Sequence, residues 1–267
     1  MRRASTSWRS DVNPYSLAGG KGLVVGIANE HSIAWGCARA FRAAGAKLAV
    51  TWFNDKARPH VEPLARQLDC PIALPLDVEQ PGQMEALFEV IAVRWGRLDF
   101  VLHSIAFAPR SDLHGRVVDS SREGFARAMD ISCHSFARMA HLAEPLMKDG
   151  GSLMTMSYVG AEEVIPDYGL MGPVKAALEA STRYLAAELG PKGIRVNAVS
   201  PGPLATRAAS GIPNFDALLE SARQRAPLRR LVDIDEVGAL CTFLAGDASR
   251  AITGSTLYVD AGFHILG

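Results

Sequence analysis

The sequence predicts a doubly wound α/β domain, a seven-stranded parallel sheet flanked by helices on both faces. Two observations carry that reading. Short apolar or β-branched runs at 22–27, 48–52, 72–76, 98–103, 152–156, 195–199 and 256–259 alternate with stretches of helical periodicity at 32–44, 63–68, 83–95, 122–147, 174–189 and 234–244. Strand–helix alternation of this kind builds a parallel sheet covered on both sides. The chain also has 267 residues and no obvious linker, enough for one large core in a single Rossmann-like domain from 17 to 267.

Taken in order, the elements point to their own carboxyl ends, where such sheets bind ligands. The first strand leads into Gly26-Ile27-Ala28-Asn29-Glu30-His31-Ser32-Ile33, a turn opening a helix. Free backbone N–H groups and a positive dipole end suit it to a pyrophosphate. Glu30 and Ser32 stand where the familiar dinucleotide fingerprint has glycines, so a simple tight turn with an N-cap is the alternative. After the second strand comes Phe53-Asn54-Asp55, and after the third Asp77-Val78. Phe53 can pack an adenosine and Asp77 can accept from an adenine amino group; each can equally be an ordinary loop residue. The fourth strand ends at His103, which reads as a structural histidine rather than an acid–base group.

Between the fifth strand and the next helix lie Tyr158, Tyr168 and Lys175. A nearby ammonium favours the phenolate and so lowers a phenol's pKa, which suggests a reductase centre. Seven positions on a continuous helix amount to about 700° and roughly 10.5 Å of rise, placing Tyr168 and Lys175 on one face. Pro173 breaks that geometry, because a regular helix starts near Gly172 with proline in its first turn, and Tyr168 then precedes it. Without further motifs, a packed tyrosine and a solvated lysine explain the pair as well. Met154, Met156 and Met171 supply apolar walls suited to an acyl chain.

Composition narrows the partners. With 28 basic and 28 acidic residues, nothing suggests a nucleic-acid surface or an electrostatically held membrane protein. There is no stretch of about eighteen apolar residues, and the chain reads as cytoplasmic and soluble. Cys37, Cys70, Cys133 and Cys241 lie far apart without metal-ligand spacing and read as buried, reduced thiols; no metal is expected. Residues 1–16 read as a flexible extension, since Arg2-Arg3 has no hydrophobic segment behind it to make an export signal.

Read together, these segments resemble the short-chain dehydrogenase/reductase superfamily and, within it, the bacterial enoyl-acyl-carrier-protein reductases of type II fatty acid synthesis. The likeness runs from Gly20 to Gly262 and includes His103-Ser104-Ile105-Ala106-Phe107-Ala108, Gly193-Ile194-Arg195-Val196-Asn197-Ala198 and Ala208-Ala209-Ser210-Gly211-Ile212. Its most discriminating feature is six residues between Tyr168 and Lys175, where most of the superfamily has three.

The resemblance implies hydride transfer from NADH to the β-carbon of a trans-2-enoyl thioester. Tyr168 would hydrogen-bond the thioester carbonyl, Lys175 would hold the nicotinamide ribose, and Tyr158 would line the acyl site or assist proton delivery. Gly26, Ser32, Ile33, Phe53, Asp77, Val78, Ile105, Leu204, Ala205, Thr206, Arg207 and Ala208 fall on cofactor positions, and Ala108 on a substrate contact. With no Arg or Lys at 53 or 54 to meet a 2′-phosphate, NADH is favoured over NADPH, although Lys56 and Arg58 are near.

An acyl carrier protein bearing the enoyl thioester, or an enoyl-CoA, is the implied partner, in a homotetramer with a lid over about 201–227. The basic patch that follows Ala-Ala-Ser-Gly-Ile in the best-known relatives is replaced by Pro213-Asn214-Phe215-Asp216-Ala217. Arg207, Arg223, Arg225, Arg229 and Arg230 offer positive charge instead. A superfamily ketoreductase and a non-catalytic dinucleotide-binding protein are the competing readings.

Overall fold

β1 (Lys21–Val25) enters the middle of the sheet and hands the chain to α1 (Ile33–Ala43), β2 (Lys47–Trp52), α2 (Arg58–Gln67), β3 (Ile72–Pro75) and α3 (Gln83–Trp95). The chain then crosses to the other side of β1. There it lays down β4 (Phe100–His103), α4 (Arg110–Leu113), α5 (Arg122–Met129), α6 (Ser135–Ala143), β5 (Gly151–Met156), α7 (Met171–Leu189), β6 (Ile194–Pro201), α8 (Phe215–Arg225), α9 (Ile234–Ala245) and β7 (Thr256–Val259). This computed structural model describes residues 13–206 and 214–266. All seven strands are parallel, in the order β3-β2-β1-β4-β5-β6-β7. Strand order reverses between β1 and β4, and a crevice opens at that point beyond the carboxyl ends.

Both faces of the sheet are covered, as the apolar runs require. Val24 packs into a core with Trp35, Phe41 and Leu48, whereas its neighbours Leu23 and Val25 join the opposite core with Phe88, Phe136 and Leu178. Register keeps the site end level: Val25 pairs with His103, and His103 with Thr155. Behind β1, α1 lies directly on α9. A Cβ on Gly36 would sit 2.2 Å from the Ile234 carbonyl oxygen and one on Gly238 2.7 Å from that of Gly36, so the crossing needs hydrogen at both positions. Asp233 and Glu236 cap α9 reciprocally.

Several boundaries differ from the sequence reading. The single helix expected over 122–147 is interrupted by a π-helical turn, Asp130–His134, between α5 and α6. The turn sets Ser132 against the loop after β4 and Ser135, the first residue of α6, against His103 at the end of β4. Ser132 Oγ donates to the Phe107 carbonyl and accepts from the Phe107 N–H, while Ser135 Oγ donates to the Ile131 carbonyl at 2.6 Å. Insertions of this type recur beside functional sites. α2 begins at Arg58, five residues before the expected start, and α8 forms inside the segment read as a lid.

α7 starts at Met171 with Pro173 in its first turn, and Tyr168 stands ahead of it as expected. Of the N-terminal extension, residues 1–12 lie outside the described residues; Pro14 accepts from the Ala248 N–H, and Leu17 donates to the Ala44 carbonyl and is buried. Cys37, Cys133 and Cys241 are buried, Cys70 is half-buried, and all four are free thiols.

Candidate active site

The crevice is a cleft of about 340 Å³ whose walls come from the ends of β4, β5 and β6 and from the start of α8. Its floor is a buried polar layer. His103 Nε2 lies 2.8 Å from Ser135 Oγ and its Nδ1 2.9 Å from Thr155 Oγ1. Ser135 spends its own proton on Ile131, so the imidazole donates from Nε2 and accepts from Thr155 at Nδ1. Burial, with the Lys175 charge adding, pushes this histidine down to about 3. It is a neutral structural residue, as the sequence suggested.

On that floor the structure brings Ile33, Ile105, Ala108, Tyr158, Tyr168, Lys175, Leu204 and Thr206 to one cleft. Tyr158 and Tyr168 pack ring to ring, with centroids 4.9 Å apart and planes tilted by 58°. Lys175, only 4 % exposed, donates from Nζ to the Met156 carbonyl at 2.6 Å.

The charge states differ from expectation. Burial raises the Tyr168 phenol well above its ordinary range, with Tyr158 and Glu179 adding to the shift. Tyr158 is raised by burial and by Asp260. Burial also pushes Lys175 down to about 8. Desolvation of the phenolate therefore sets the shift in place of the lowering expected from Lys175, and Tyr168 is a neutral donor. The Tyr158 hydroxyl is buried with no protein partner, which marks it as a group that an incoming polar atom can satisfy.

The remaining cofactor positions line the crevice edge rather than the cleft. Gly26 adopts φ +108, and a Cβ there would lie 2.0 Å from the Ser104 carbonyl oxygen, so a bare backbone is required between β1 and β4. Ser32 Oγ accepts from the Ala28 and Asn29 N–H groups, both at 3.1 Å, and closes the loop without capping α1. The helix N-terminus thus keeps donors for a pyrophosphate. Phe53, 56 % exposed, stands at the end of β2. Asp77 accepts from the Glu79 N–H at 3.0 Å, and the Val78 carbonyl accepts from Arg138 at 3.0 Å.

A bare cradle at Gly26, an uncapped helix start, a free aromatic face and a carboxylate fit a dinucleotide. Arg58 is already engaged, paired with Glu62 at 3.3 Å and lying over Trp52, which leaves Lys56 as the other nearby cation for a 2′-phosphate. Ala205 is exposed and turned to a neighbouring hollow; Arg207 and Ala208 lie outside the described residues.

Two features were missed. Ser157 lines the cleft and donates to Glu179 Oε1, a buried carboxylate one turn beyond Lys175. The four-residue spacing to Lys175 was the available signal. A second connection ties the loops after β3 and β4 together: Arg127 makes a bidentate pair with Glu79 at 2.7 and 2.8 Å while lying over Phe107. The alternative basic patch is partly spent. Arg223 pairs with Glu220 and Arg230 with Glu236, whereas Arg225 donates to the Leu266 carbonyl and lies over Phe263, and Arg229 donates to the Gln224 carbonyl, neither with a carboxylate partner among the described residues. Among the described residues no group of His, Cys, Asp and Glu is placed to hold a metal, and no helix is long and apolar enough to cross a membrane.

Known proteins share this fold and much of this sequence. A family model described as enoyl-(acyl carrier protein) reductase matches residues 26–264. Enoyl-[acyl-carrier-protein] reductase [NADH] 1 of Rhizobium meliloti is 48% identical over 251 residues, covering 94% of this chain and 92% of the relative. The crystal structure of the enoyl-(acyl-carrier-protein) reductase of Anaplasma phagocytophilum in complex with NAD superposes with a TM-score of 0.90 at 46% identity, over 94% of this chain and 96% of that one. The Bacillus cereus enoyl-acyl carrier protein reductase, solved with NADP+ and an indole naphthyridinone, gives a TM-score of 0.92 at 44% identity, over 94% and 98%. With the family model running from the cofactor turn at Gly26 to the end of the domain, and relatives this similar over nearly the whole chain, the protein belongs to the enoyl-(acyl carrier protein) reductase family.

Proposed function

We propose that this chain reduces the carbon–carbon double bond of a trans-2-enoyl thioester carried by acyl carrier protein, using NADH, in fatty acid elongation. The observation that carries the reading is the single apolar cleft in which Tyr158, Tyr168 and Lys175 meet Ile105 and Ala108. Bound NADH would supply the hydride for the β-carbon, held by the turn at Gly26, Ser32 and Ile33, by Phe53, Asp77 and Val78, and by Ile105 and Lys175.

The chain's own groups supply the rest. Tyr168, neutral because it is buried, donates toward the thioester oxygen as negative charge builds there, a donor oriented before the reaction starts. Lys175, charged below about 8, keeps the local field positive. Met156, Met171, Phe215 and Leu218 exclude water and offer an apolar path for the acyl chain. Tyr158 brings a second hydroxyl with no internal obligation, suited to the substrate oxygen or to proton delivery.

The reading includes a cytoplasmic homotetramer, supported by exposed Phe125 on α5 and Tyr184 on α7, and a lid over 201–227, supported by Leu204, Thr206, Phe215 and Leu218 at the cleft wall. The test follows NADH oxidation with crotonyl and longer trans-2-enoyl thioesters, on carrier protein and on CoA, beside acetoacetyl substrates. Enoyl turnover that falls on the order of 10²-fold in kcat in Tyr168→Phe is expected. Turnover of acetoacetyl substrates alone would make the protein a ketoreductase instead.

A further inference from the structure

Glu179 is 5 % exposed, and a glutamate is buried that deeply only where partners meet it. Ser157 Oγ does so by donating to its Oε1, and the Thr256 hydroxyl on β7 is near enough to favour its charged form. One turn earlier on α7, Lys175 Nζ donates to the Met156 carbonyl at 2.6 Å. Two side chains of opposite charge, at i and i+4, therefore grip two consecutive residues at the end of β5. A single attachment leaves the strand end free to pivot, whereas two adjacent ones fix it. The next residue is Tyr158, whose ring packs on Tyr168.

We propose that Glu179 is a positioning residue of the reductase site, holding Ser157 and with it the Tyr158 end of β5, and placing a negative charge beside the Lys175 ammonium. This rests on the function proposed above. Besides Lys175, the groups facing Glu179 are Arg183 on its own helix, Glu162 from the loop after Tyr158, Tyr168, and Thr256 and Tyr258 on β7. Lys175 in turn faces Cys133 on the π-helical turn and His103 on β4. Burial pushes both the lysine and Glu179 toward their neutral forms; the Ser157 hydrogen bond favours the Glu179 carboxylate, which, after Cys133, opposes the push on Lys175.

Two variants separate the charge from the attachment. Glu179→Gln keeps an acceptor for Ser157 and removes the charge; Ser157→Ala keeps the charge and removes the bond. Each is read by NADH affinity, from fluorescence, and by the rate of enoyl thioester reduction, both from about pH 6 to about pH 9.5. In the wild type, NADH affinity should weaken as pH rises past the region where Lys175 loses its proton. Glu179→Gln should move that fall to lower pH by about half a unit or more, with kcat at the acidic end within about threefold of wild type. Ser157→Ala should leave the fall in place and lower kcat about tenfold at unchanged NADH affinity.

An unmoved fall in Glu179→Gln, or an unchanged kcat in Ser157→Ala, overturns the proposal. Should Glu179→Gln fail to melt cooperatively, Glu179→Asp decides. It retains the charge on a shorter reach, so kcat should drop while the fall stays; behaviour identical to wild type rejects the clamp. NADH binding is read without the second substrate, so a wild type with this pH response and no enoyl turnover would sink the assigned reaction and leave the clamp standing.

Discussion

Lys175→Met is expected to change the pH dependence of folding stability in a direction fixed by burial. In the folded chain the ammonium is pushed from 10.5 down to about 8. Between those values the unfolded chain holds a proton that the folded chain has lost, so stability rises with pH across the window. Below about 8 both states are charged, and the folded state carries the full desolvation cost, on the order of 3 kcal/mol. From about pH 6.5 to about pH 9.5 this lysine alone should add about 2 kcal/mol to wild-type stability.

Methionine of similar reach has no such term. Its loss of the bond to Met156 is a cost of about 1–3 kcal/mol that does not vary with pH to first order. The stability gap between variant and wild type should therefore move about 2 kcal/mol in the variant's favour as pH falls over that range, or about 4–8 °C in the difference of melting temperatures. Paired thermal melts of ligand-free protein at matched concentration measure it. A gap constant to within about 0.5 kcal/mol would mean that Lys175 is not held in a desolvating site, and the reasoning fails.

Two other expectations follow from the cofactor edge. Gly26→Ala forces a methyl group against the Ser104 carbonyl at a φ that L-residues avoid, so stability should fall by more than about 2 kcal/mol and NADH affinity with it; a wild-type melting curve would refute the close approach. Phe53→Arg places a guanidinium at the end of β2 where a 2′-phosphate would lie, so the ratio of kcat/KM for NADPH over NADH should rise at least about tenfold, and an unchanged ratio removes Phe53 from the adenosine side of the site.

What the sequence disclosed and what it hid divide along a physical line. Strands were legible because short apolar runs bounded by turns have few other uses, and β7 and α3 fall at their expected limits. The loops at Gly26, Phe53, Asp77 and Ile105 follow from strand ends alone once the sheet is parallel. The α5–α6 break was not legible: a π-helical turn at Asp130–His134 adds a slight widening without any glycine or proline to announce it. α8 was hidden inside a stretch whose flanking Gly211 and Pro213 read as a loop. Glu179 was passed over because a glutamate at helical spacing from a lysine is usually a solvated pair. Only the return of the chain after β5, with Ser157 on Glu179, shows that it is buried.

The sign of the tyrosine shift has the same origin, and it changes which group governs the chemistry. Sequence shows that a lysine lies near a phenol, and proximity alone lowers the phenol. Burial, which depends on the whole fold, acts on both partners toward their neutral forms. For the phenol that is no handicap, since a neutral O–H is what a developing oxyanion needs as a donor. For the lysine it is a liability, because the positive field exists only while the ammonium survives. A basic limb of activity near pH 8 is therefore expected from Lys175 rather than from either tyrosine, and the carboxylate one turn along α7 stands where it can hold that limb up.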